Sequence, residues 1–319
     1  MSDALPAPPI WVDAAARIIR RLPAGRYRAM NWCGRRGRRP FWAALPPELG
    51  GLQYRCDLRD LLMREVCLTG RYEPQETALV RALLSPGMTF VDVGANWGYF
   101  ALVAAALVGA SGKVVAVEAD PRACRTLRAN VARNRLAHVE VVESAASDAE
   151  SRLTFAAYGH ENDDASNFGV AQVNDAAASH TFEVQARRVD AILDALAVDR
   201  VHLLKMDIEG GEARAVTGLA ARLGRSRVDR IILELHPDHL RQQGSSSREV
   251  VAAIAAHGFG AWRIAHSADD HRRAASASID PASLLAPLDP AADLGAWPHV
   301  LFIRSGLPLL GGRSSNRVH

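Results

Sequence analysis

The sequence predicts an α/β fold built on a mostly parallel sheet that closes with an antiparallel pair. Three observations predict it. An apolar run of Met88, Phe90, Val91 and Val93 leads through a turn bearing Gly94 and Gly98 into the long, Ala-rich segment Tyr99–Val108. A second apolar run, Lys113–Glu118, ends on an acid twenty-four residues past Gly94. Further apolar runs at 139–142, 201–208 and 230–235 alternate with stretches of helical spacing. Alternating strands and helices read as a parallel sheet. Strand, glycine-bearing turn, helix, strand and acid is the order of a nucleoside-binding βαβ unit, with the acid placed for a ribose diol.

The chain of 319 residues has room for one large domain with an appendage, and its 49% hydrophobic content supports a full core. A net charge of +3 does not by itself argue for nucleic acid. Of 38 basic residues only Lys113 and Lys205 are lysines. The four cysteines, Cys33, Cys56, Cys67 and Cys124, form no C-x-x-C pair and lack metal-site spacing, which reads as a reducing compartment. No apolar run reaches membrane-spanning length, and the N-terminus does not read as a secretory signal. The expected location is the cytoplasm.

Residues 1–55 read as a basic extension. Nine arginines stand against Asp3 and Asp13 in the first 40 residues. Such an arm either grips an anionic partner (a membrane surface, nucleic acid, or an acidic carrier or substrate) or is a solvated appendage packing Trp11, Ile18, Ile19, Trp32 and Trp42 on the domain. The main domain is expected over 56–305, with a tail at 306–319. Gly70-Arg71-Tyr72-Glu73-Pro74 reads as a turn, with Pro74 at the first position of a helix that reaches residue 84. Ser85-Pro86-Gly87 then hands over to the strand at Thr89. After Glu118, Asp120 is a good N-cap and Pro121 a good first helical residue; Cys124, Leu127 and Val131 continue at helical spacing. The strand at 139–142 runs into Ser144, at the mouth where a purine would lie. Residues 152–155 read as an extra strand, and the polar, turn-rich stretch 159–180 as a lid. A strand at 181–189, a short helix at 190–196 and the core strand 201–208 follow. Ala213, Val216, Leu219, Ala220 and Leu223 line one helix after Glu212. The strand 230–235 precedes a helix at 248–256. Residues 258–264 and His299–Arg304 form the closing antiparallel pair, with 265–298 read as a loop-rich insertion on the substrate side.

The turn chemistry selects the nucleoside. A dinucleotide fold wants a third glycine and bare N–H groups for its pyrophosphate. Here Gly94-Ala95-Asn96-Trp97-Gly98 puts bulk there, and Asp92 would repel a phosphate. Asp92 suits an ammonium and a sulfonium, so the local chemistry favours S-adenosylmethionine over a nicotinamide dinucleotide. Asp92, Gly94, Asn96, Gly98, Glu118 and Ser144 are the expected cofactor residues.

Ligands of open α/β sheets lie across the carboxyl ends of the strands. Two other strand ends, Lys205 to Glu212 and Glu234 to Asp238, then face the transferred methyl group. Methyl transfer needs alignment above all, and an alcohol acceptor also needs a base. His236 is the natural base because imidazole titrates near neutrality; a turn-capping histidine is its bland reading. Lys205, Asp207 and Glu209 alternate onto one face. Lys205 beside two carboxylates reads as an ion pair or a holder of a substrate oxygen, and Asp207 is placed for the active site. Asp207, Glu209, Glu234 and His236 also suit a magnesium ion. Carboxylate clusters at strand ends are common without a metal, so none is assigned.

The blocks Phe90-Val91-Asp92-Val93-Gly94-Ala95-Asn96-Trp97-Gly98-Tyr99-Phe100, Val117-Glu118-Ala119-Asp120-Pro121, Ala145-Ala146-Ser147-Asp148, Leu204-Lys205-Met206-Asp207-Ile208-Glu209-Gly210 and Leu233-Glu234-Leu235-His236-Pro237 occur in that order. Together with Gly70-Arg71-Tyr72-Glu73-Pro74-Gln75-Glu76, they resemble the FkbM-type methyltransferases over about residues 56 to 305. The resemblance implies a class I methyltransferase Rossmann-like fold, a mostly parallel seven-stranded sheet with a closing antiparallel strand, and S-adenosylmethionine as donor. It implies O-methylation of a small molecule, sugar or natural product, hence a small-molecule or glycan acceptor. Asp92, Gly94, Asn96, Gly98 and Glu118 match its cofactor motif; Lys205, Asp207 and Glu209 match its second signature. The extension and the 265–298 insertion lie outside it. The rival readings are an N-methyltransferase, which would carry an Asn/Asp-Pro-Pro-aromatic turn where Asp207-Ile208-Glu209-Gly210 stands, and a non-catalytic scaffold binding an anionic polymer through its arginines. A nucleic-acid partner is not favoured, and the oligomeric state is open.

Overall fold

The computed structural model describes residues 5–22, 25–157, 180–267, 270, 280–289, 294–295 and 298–310. The chain opens with α1 (Ile10–Arg21), α2 (Arg26–Arg36) and a ribbon of β1 (Phe41–Ala44) and β2 (Gln53–Cys56). It continues through α3 (Leu61–Thr69), α4 (Pro74–Leu83), β3 (Thr89–Val93), α5 (Tyr99–Val108), β4 (Lys113–Glu118), α6 (Pro121–Arg133) and β5 (Val139–Glu143). Next come β6 (Ala145–Ser147), β7 (Ser151–Ala157), β8 (His180–Arg188), α7 (Val189–Ala195), β9 (Leu203–Met206), α8 (Glu212–Thr217) and α9 (Ala220–Gly224). The last elements are β10 (Arg230–Glu234), α10 (Pro237–Gln242), α11 (Ser247–Ala255), β11 (Phe259–Ile264), β12 (Leu285–Pro287) and β13 (His299–Arg304).

The main sheet has the order β12-β11-β13-β10-β9-β3-β4-β5. Strands β10, β9, β3, β4 and β5 are parallel neighbours, and β13 lies antiparallel between β10 and β11. Seven of these strands are the expected ones. The eighth, β12, comes from the stretch read as a loop-rich insertion and pairs with the outer edge of β11. Valine and isoleucine dominate β3, β4 and β10 because both faces of a parallel sheet are covered. One apolar cluster packs α4 and α5 on one face; the other packs α7, α8, α9 and α11 on the opposite face. Chain order reverses between β3 and β9: β4 and β5 extend the sheet one way, β10 the other. That reversal opens a crevice at the carboxyl ends of β3 and β9, and it places Asp92 and Asp207 at its floor.

A second, three-stranded sheet of order β6-β8-β7 stands beside β5. The single helix expected after Glu212 is two short helices, α8 and α9, broken at Gly218–Leu219. The lid expected at 159–180 lies outside the described residues, apart from its last residue at the start of β8. The extension joins the main core: Val12, Ala16, Ile19, Met30, Cys33 and Phe41 share one cluster with Leu79 and Phe100. Of the five residues expected to pack it, Ile19 is buried and Trp42 half-buried, whereas Trp11, Ile18 and Trp32 face outward. The reason is helical phase: Val12, Ala16 and Ile19 recur at i, i+4 and i+7 and form the inward stripe, and Ile18 falls outside it. All four cysteines are free. No helix among the described residues is long and apolar enough to cross a membrane.

Candidate active site

A cavity of about 1260 Å³ opens at the crevice between β3 and β9. Its donor half is built by main-chain geometry. After β3 the chain turns over the end of β4, and the N–H groups of Gly94 and Ala95 donate to the carbonyl of Val117 at 2.9 and 3.1 Å. Gly94 sits at φ +85°, and a Cβ there would stand 1.8 Å from the Asp207 carbonyl oxygen. Only glycine permits both the dihedral and the close approach. Gly98 caps α5 at φ +98°, facing Leu127. Asn96 is left-handed at φ +51°, with its side-chain oxygen accepting from the Trp97 N–H at 2.8 Å. Trp97 itself is buried, stacked on Tyr54 at 4.9 Å.

Glu118 is held at both oxygens: the Asn96 N–H donates to Oε2 at 2.6 Å and the Asp120 N–H to Oε1 at 2.8 Å. Burial pushes its pKa up to about 7, against the opposing pull of these backbone bonds. Asp92 is buried, and its Oδ2 receives no hydrogen bond. Burial raises its pKa to about 7, Lys205 opposing and Asp207 and Glu118 adding to the rise. Ser144 lines the cavity, but its hydroxyl is engaged by the Gln185 carbonyl at 3.0 Å, tying β5 to β8. A buried carboxylate oxygen without a donor, next to a second carboxylate held by backbone amides, fits a ligand that carries a cation and a diol.

The acceptor half is built by side chains from distant segments. Lys205, buried on β9, places Nζ 3.5 Å from Asp207 Oδ2, 3.6 Å from Glu73 Oε2 and 4.5 Å over the Phe100 ring. Burial would lower its pKa, but Glu73, Asp207 and Asp92 outweigh it and keep the amine charged. Of the two carboxylates expected beside it, Asp207 is there and Glu209 is not; Glu73 takes the second place. Asp207 lies just beyond β9, its N–H bonded to the Val93 carbonyl at 3.0 Å. Glu209 takes a left-handed φ of +48° and lines the cavity half-buried, so the regular alternation along 201–208 stops at Met206.

His236 stands immediately before α10 but makes no side-chain cap bond. Its Nδ1 is 2.7 Å from Oε1 of Glu212, a carboxylate with no solvent exposure that also accepts the Gly210 N–H at 2.9 Å. The Nε2 edge faces Asp207 Oδ1 at 3.9 Å and Glu234 Oε1 at 3.7 Å. Burial lowers the imidazole pKa, but Glu212, Asp207 and Glu209 outweigh it, and the net shift is upward. Glu234 is pushed up to about 10 by burial and by Asp207 and Glu73. Behind it, His299 Nδ1 lies 2.9 Å from buried Glu76, and its Nε2 lies 3.7 Å from Glu234. The ligand atoms of Asp207, Glu234 and His236 lie within 4.8 Å of one another, as do those of Glu76, His266 and His299.

All ten expected site residues therefore border or support one crevice. The residues the sequence reading left without a role are Glu73, Glu212 and the Glu76–His299 pair. Their signals were present in the Gly70–Glu76 block and the Glu209-Gly210-Gly211-Glu212 run, but only the fold brings them to Lys205 and His236.

This sheet order and this pair of half-sites define a class I methyltransferase, a class that uses S-adenosylmethionine as its donor. The Methyltransferase FkbM domain profile matches residues 92–260, more than half of the chain. The protein belongs to the FkbM methyltransferase family. It is 40% identical over 76 residues to a probable cobalt-precorrin-6B C(15)-methyltransferase of Sulfolobus acidocaldarius, a stretch covering 24% of this chain and 40% of that protein. It is 48% identical over 66 residues to a ribosomal protein L11 methyltransferase of Pelotomaculum thermopropionicum, covering 20% and 21% respectively. The chain thus spans less than half the length of these curated relatives. Among solved structures it resembles Aeropyrum pernix fibrillarin, crystallised with natively bound S-adenosyl-L-methionine, at 13% identity and a TM-score of 0.40, covering 84% of this chain and 82% of that one.

Proposed function

We propose that the protein methylates a hydroxyl group of a small molecule or glycan, with S-adenosylmethionine as donor and His236 as base. The observation that carries this reading is the Glu212–His236 pair. Glu212, fully buried, lies 2.7 Å from Nδ1, and an ionised carboxylate there favours the tautomer with the proton on Nδ1 and Nε2 free to accept on the cavity side. A base that keeps its proton-accepting edge toward the substrate side contributes about 10²–10⁴-fold, and an upward-shifted imidazole is near the best basicity for work at neutral pH.

Asp92 and Glu118 would hold the donor, which supplies an electrophilic methyl group when bound. The main-chain turn at Gly94–Gly98 shapes the pocket. Lys205 holds Glu73 and Asp207 in place across the floor. Asp207, Glu209 and Glu234 would offer carboxyl groups to a polyhydroxylated acceptor, and His236 Nε2 would take the hydroxyl proton as the new carbon–oxygen bond forms and the methyl–sulfur bond of the donor breaks, leaving its sulfur as a neutral thioether. The cluster of Asp207, Glu234 and His236 also supports a second reading, a divalent cation that orients the acceptor oxygen. Glu212 would then fix the orientation of a metal-bound imidazole instead of a basic one.

Calorimetric titration with S-adenosylmethionine and S-adenosylhomocysteine, with Glu118→Ala as control, tests the donor assignment. Expected is micromolar-range binding that the substitution weakens by about a hundredfold. Product mass analysis with hydroxylated acceptors, with and without added magnesium, tests the transfer. A folded protein that binds neither nucleoside overturns the proposal.

A further inference from the structure

The first forty residues carry an exposed surface that the methyltransferase chemistry does not use. Helix α1 spends its Val12–Ala16–Ile19 stripe on the core, where it packs against α3. The opposite side still carries Ile10, 91% exposed, and Ile18, 62% exposed, with Trp11 beside them. Arg17 and Arg21 border that apolar strip one helical turn apart and are both exposed. Helix α2 repeats the arrangement. Met30 and Cys33 face inward, while Tyr27 and Trp32 are 65% and 53% exposed. Arg28, Arg35 and Arg36 flank them, and the Arg36 guanidinium lies 3.6 Å over the Trp32 ring. Five of the seven large hydrophobic side chains that stand exposed among the described residues fall between Ile10 and Trp32. Single exposed apolar residues need no explanation, but a concentration of this kind marks an interaction surface.

The chemistry selects the partner. Asp13 is the one acid between residues 10 and 39, against nine arginines. Arg20 and Arg26 turn back onto the carbonyls of Leu68 and Leu22, while Arg17, Arg21, Arg28, Arg35, Arg36, Arg38 and Arg39 remain exposed. A nucleic-acid face would present the arginines but has no use for isoleucines held outward. A second copy of the same face would set its exposed arginines against like charges. Bilayer interfaces take this combination: Trp and Tyr at headgroup depth, aliphatic side chains at the acyl boundary, and arginines on anionic headgroups.

We propose that α1 and α2 dock the protein onto an anionic lipid bilayer. The docking is peripheral, since neither helix is long enough to span. The same segment borders the active-site cavity. Leu5 and Trp42 line its wall, joined by a hydrogen bond of 3.0 Å from the Trp42 N–H to the Pro6 carbonyl, and half-exposed Leu61 lies at its lining. The segment that carries α1 and α2 thus also supplies apolar residues to the cavity wall, which suits acceptors presented on a lipid.

Flotation of the full chain with phosphatidylcholine vesicles, with and without phosphatidylglycerol, tests the proposal. The expected result is co-flotation with the phosphatidylglycerol vesicles only, reversed by high salt. Ile10→Ser with Ile18→Ser should weaken it by about tenfold or more, as should Arg17→Gln with Arg21→Gln. Both double variants alter only solvent-facing positions, and unchanged thermal unfolding would verify their fold. Absence of binding to the anionic vesicles by the wild-type chain overturns the proposal. So does vesicle binding that the isoleucine variant leaves intact and a short RNA duplex competes away, which would assign the surface to polyanions. These outcomes are read without methyl transfer and stand apart from the assignment of the reaction.

Discussion

The two halves of the active-site crevice are built by different means. The donor half comes from one contiguous stretch, Asp92 to Asp120, and its contacts are mainly those of the backbone: the Asn96 and Asp120 N–H groups on Glu118, and the Gly94 turn under the Asp207 carbonyl. The acceptor half gathers Glu73, Lys205, Asp207, Glu212, Glu234 and His236 from separate elements, and its contacts are between ionisable side chains. A backbone-built site is fixed by the fold itself and suits a ligand that never changes. A side-chain-built site can be altered one residue at a time without disturbing the sheet.

This contrast predicts separable losses. His236→Ala should lower kcat by about 10²–10⁴-fold, with the calorimetric affinity for S-adenosylmethionine unchanged. A parallel loss of donor affinity would show that the halves are not independent. Chelator treatment discriminates the two roles of His236. Unchanged turnover supports the base, and loss of turnover restored by added divalent cation supports the metal. Glu118→Ala should do the reverse of His236→Ala, weakening donor binding by about a hundredfold in a protein whose unfolding remains cooperative.

The same contrast explains what was legible in the sequence. The bounds of β3, α5 and β4 follow from Thr89 to Glu118 alone, because glycines at φ +85° and +98° and an acid at the end of the next strand act within one short stretch. Nothing local announces that Glu212 will meet Nδ1 of His236, or that Glu73 will cross to Lys205, because those pairings exist only once β9 and β10 lie side by side. The basic extension was legible as charge and in part as packing, with Ile19 buried and Trp42 half-buried as expected. Its inward stripe is Val12, Ala16 and Ile19, small and aliphatic, while the larger Trp11, Ile18 and Trp32 remain outside. Side-chain size pointed the wrong way, and helical phase decided.

A subtler test lies in the Glu212–His236 pair. Glu212→Gln keeps the volume and removes the charge that, with Asp207 and Glu209, raises the imidazole pKa. A neutral His236 is needed to accept the proton, so activity rises with pH through its pKa. Losing the Glu212 charge should move that acid limb to lower pH and reduce kcat at neutral pH by about tenfold, with KM little changed. A drop in kcat without movement of the limb would leave Glu212 a purely structural role.

The smallest effect expected is on the donor side, and it turns on Asp92. Its folded pKa of about 7 lies above the ordinary carboxylate range. In the free protein a raised carboxyl contributes stability at low pH, and that contribution is lost as pH rises through about 7. A cationic ligand reverses the sense, because the ionised form of Asp92 attracts an ammonium or sulfonium. Donor affinity should therefore rise by about fivefold between about pH 6 and about pH 8, with a proton released on binding. Asp92→Asn should reduce that rise to the part contributed by Glu118, whose pKa is also pushed up to about 7. Calorimetry in buffers of different ionisation enthalpy counts the proton. An equal slope with S-adenosylhomocysteine assigns the attraction to the ammonium, which both nucleosides share; a slope seen with S-adenosylmethionine alone assigns it to the sulfonium. A flat profile for the wild-type chain would show that Asp92 stays neutral in the complex, leaving Glu118 and the backbone turn to hold the donor unaided.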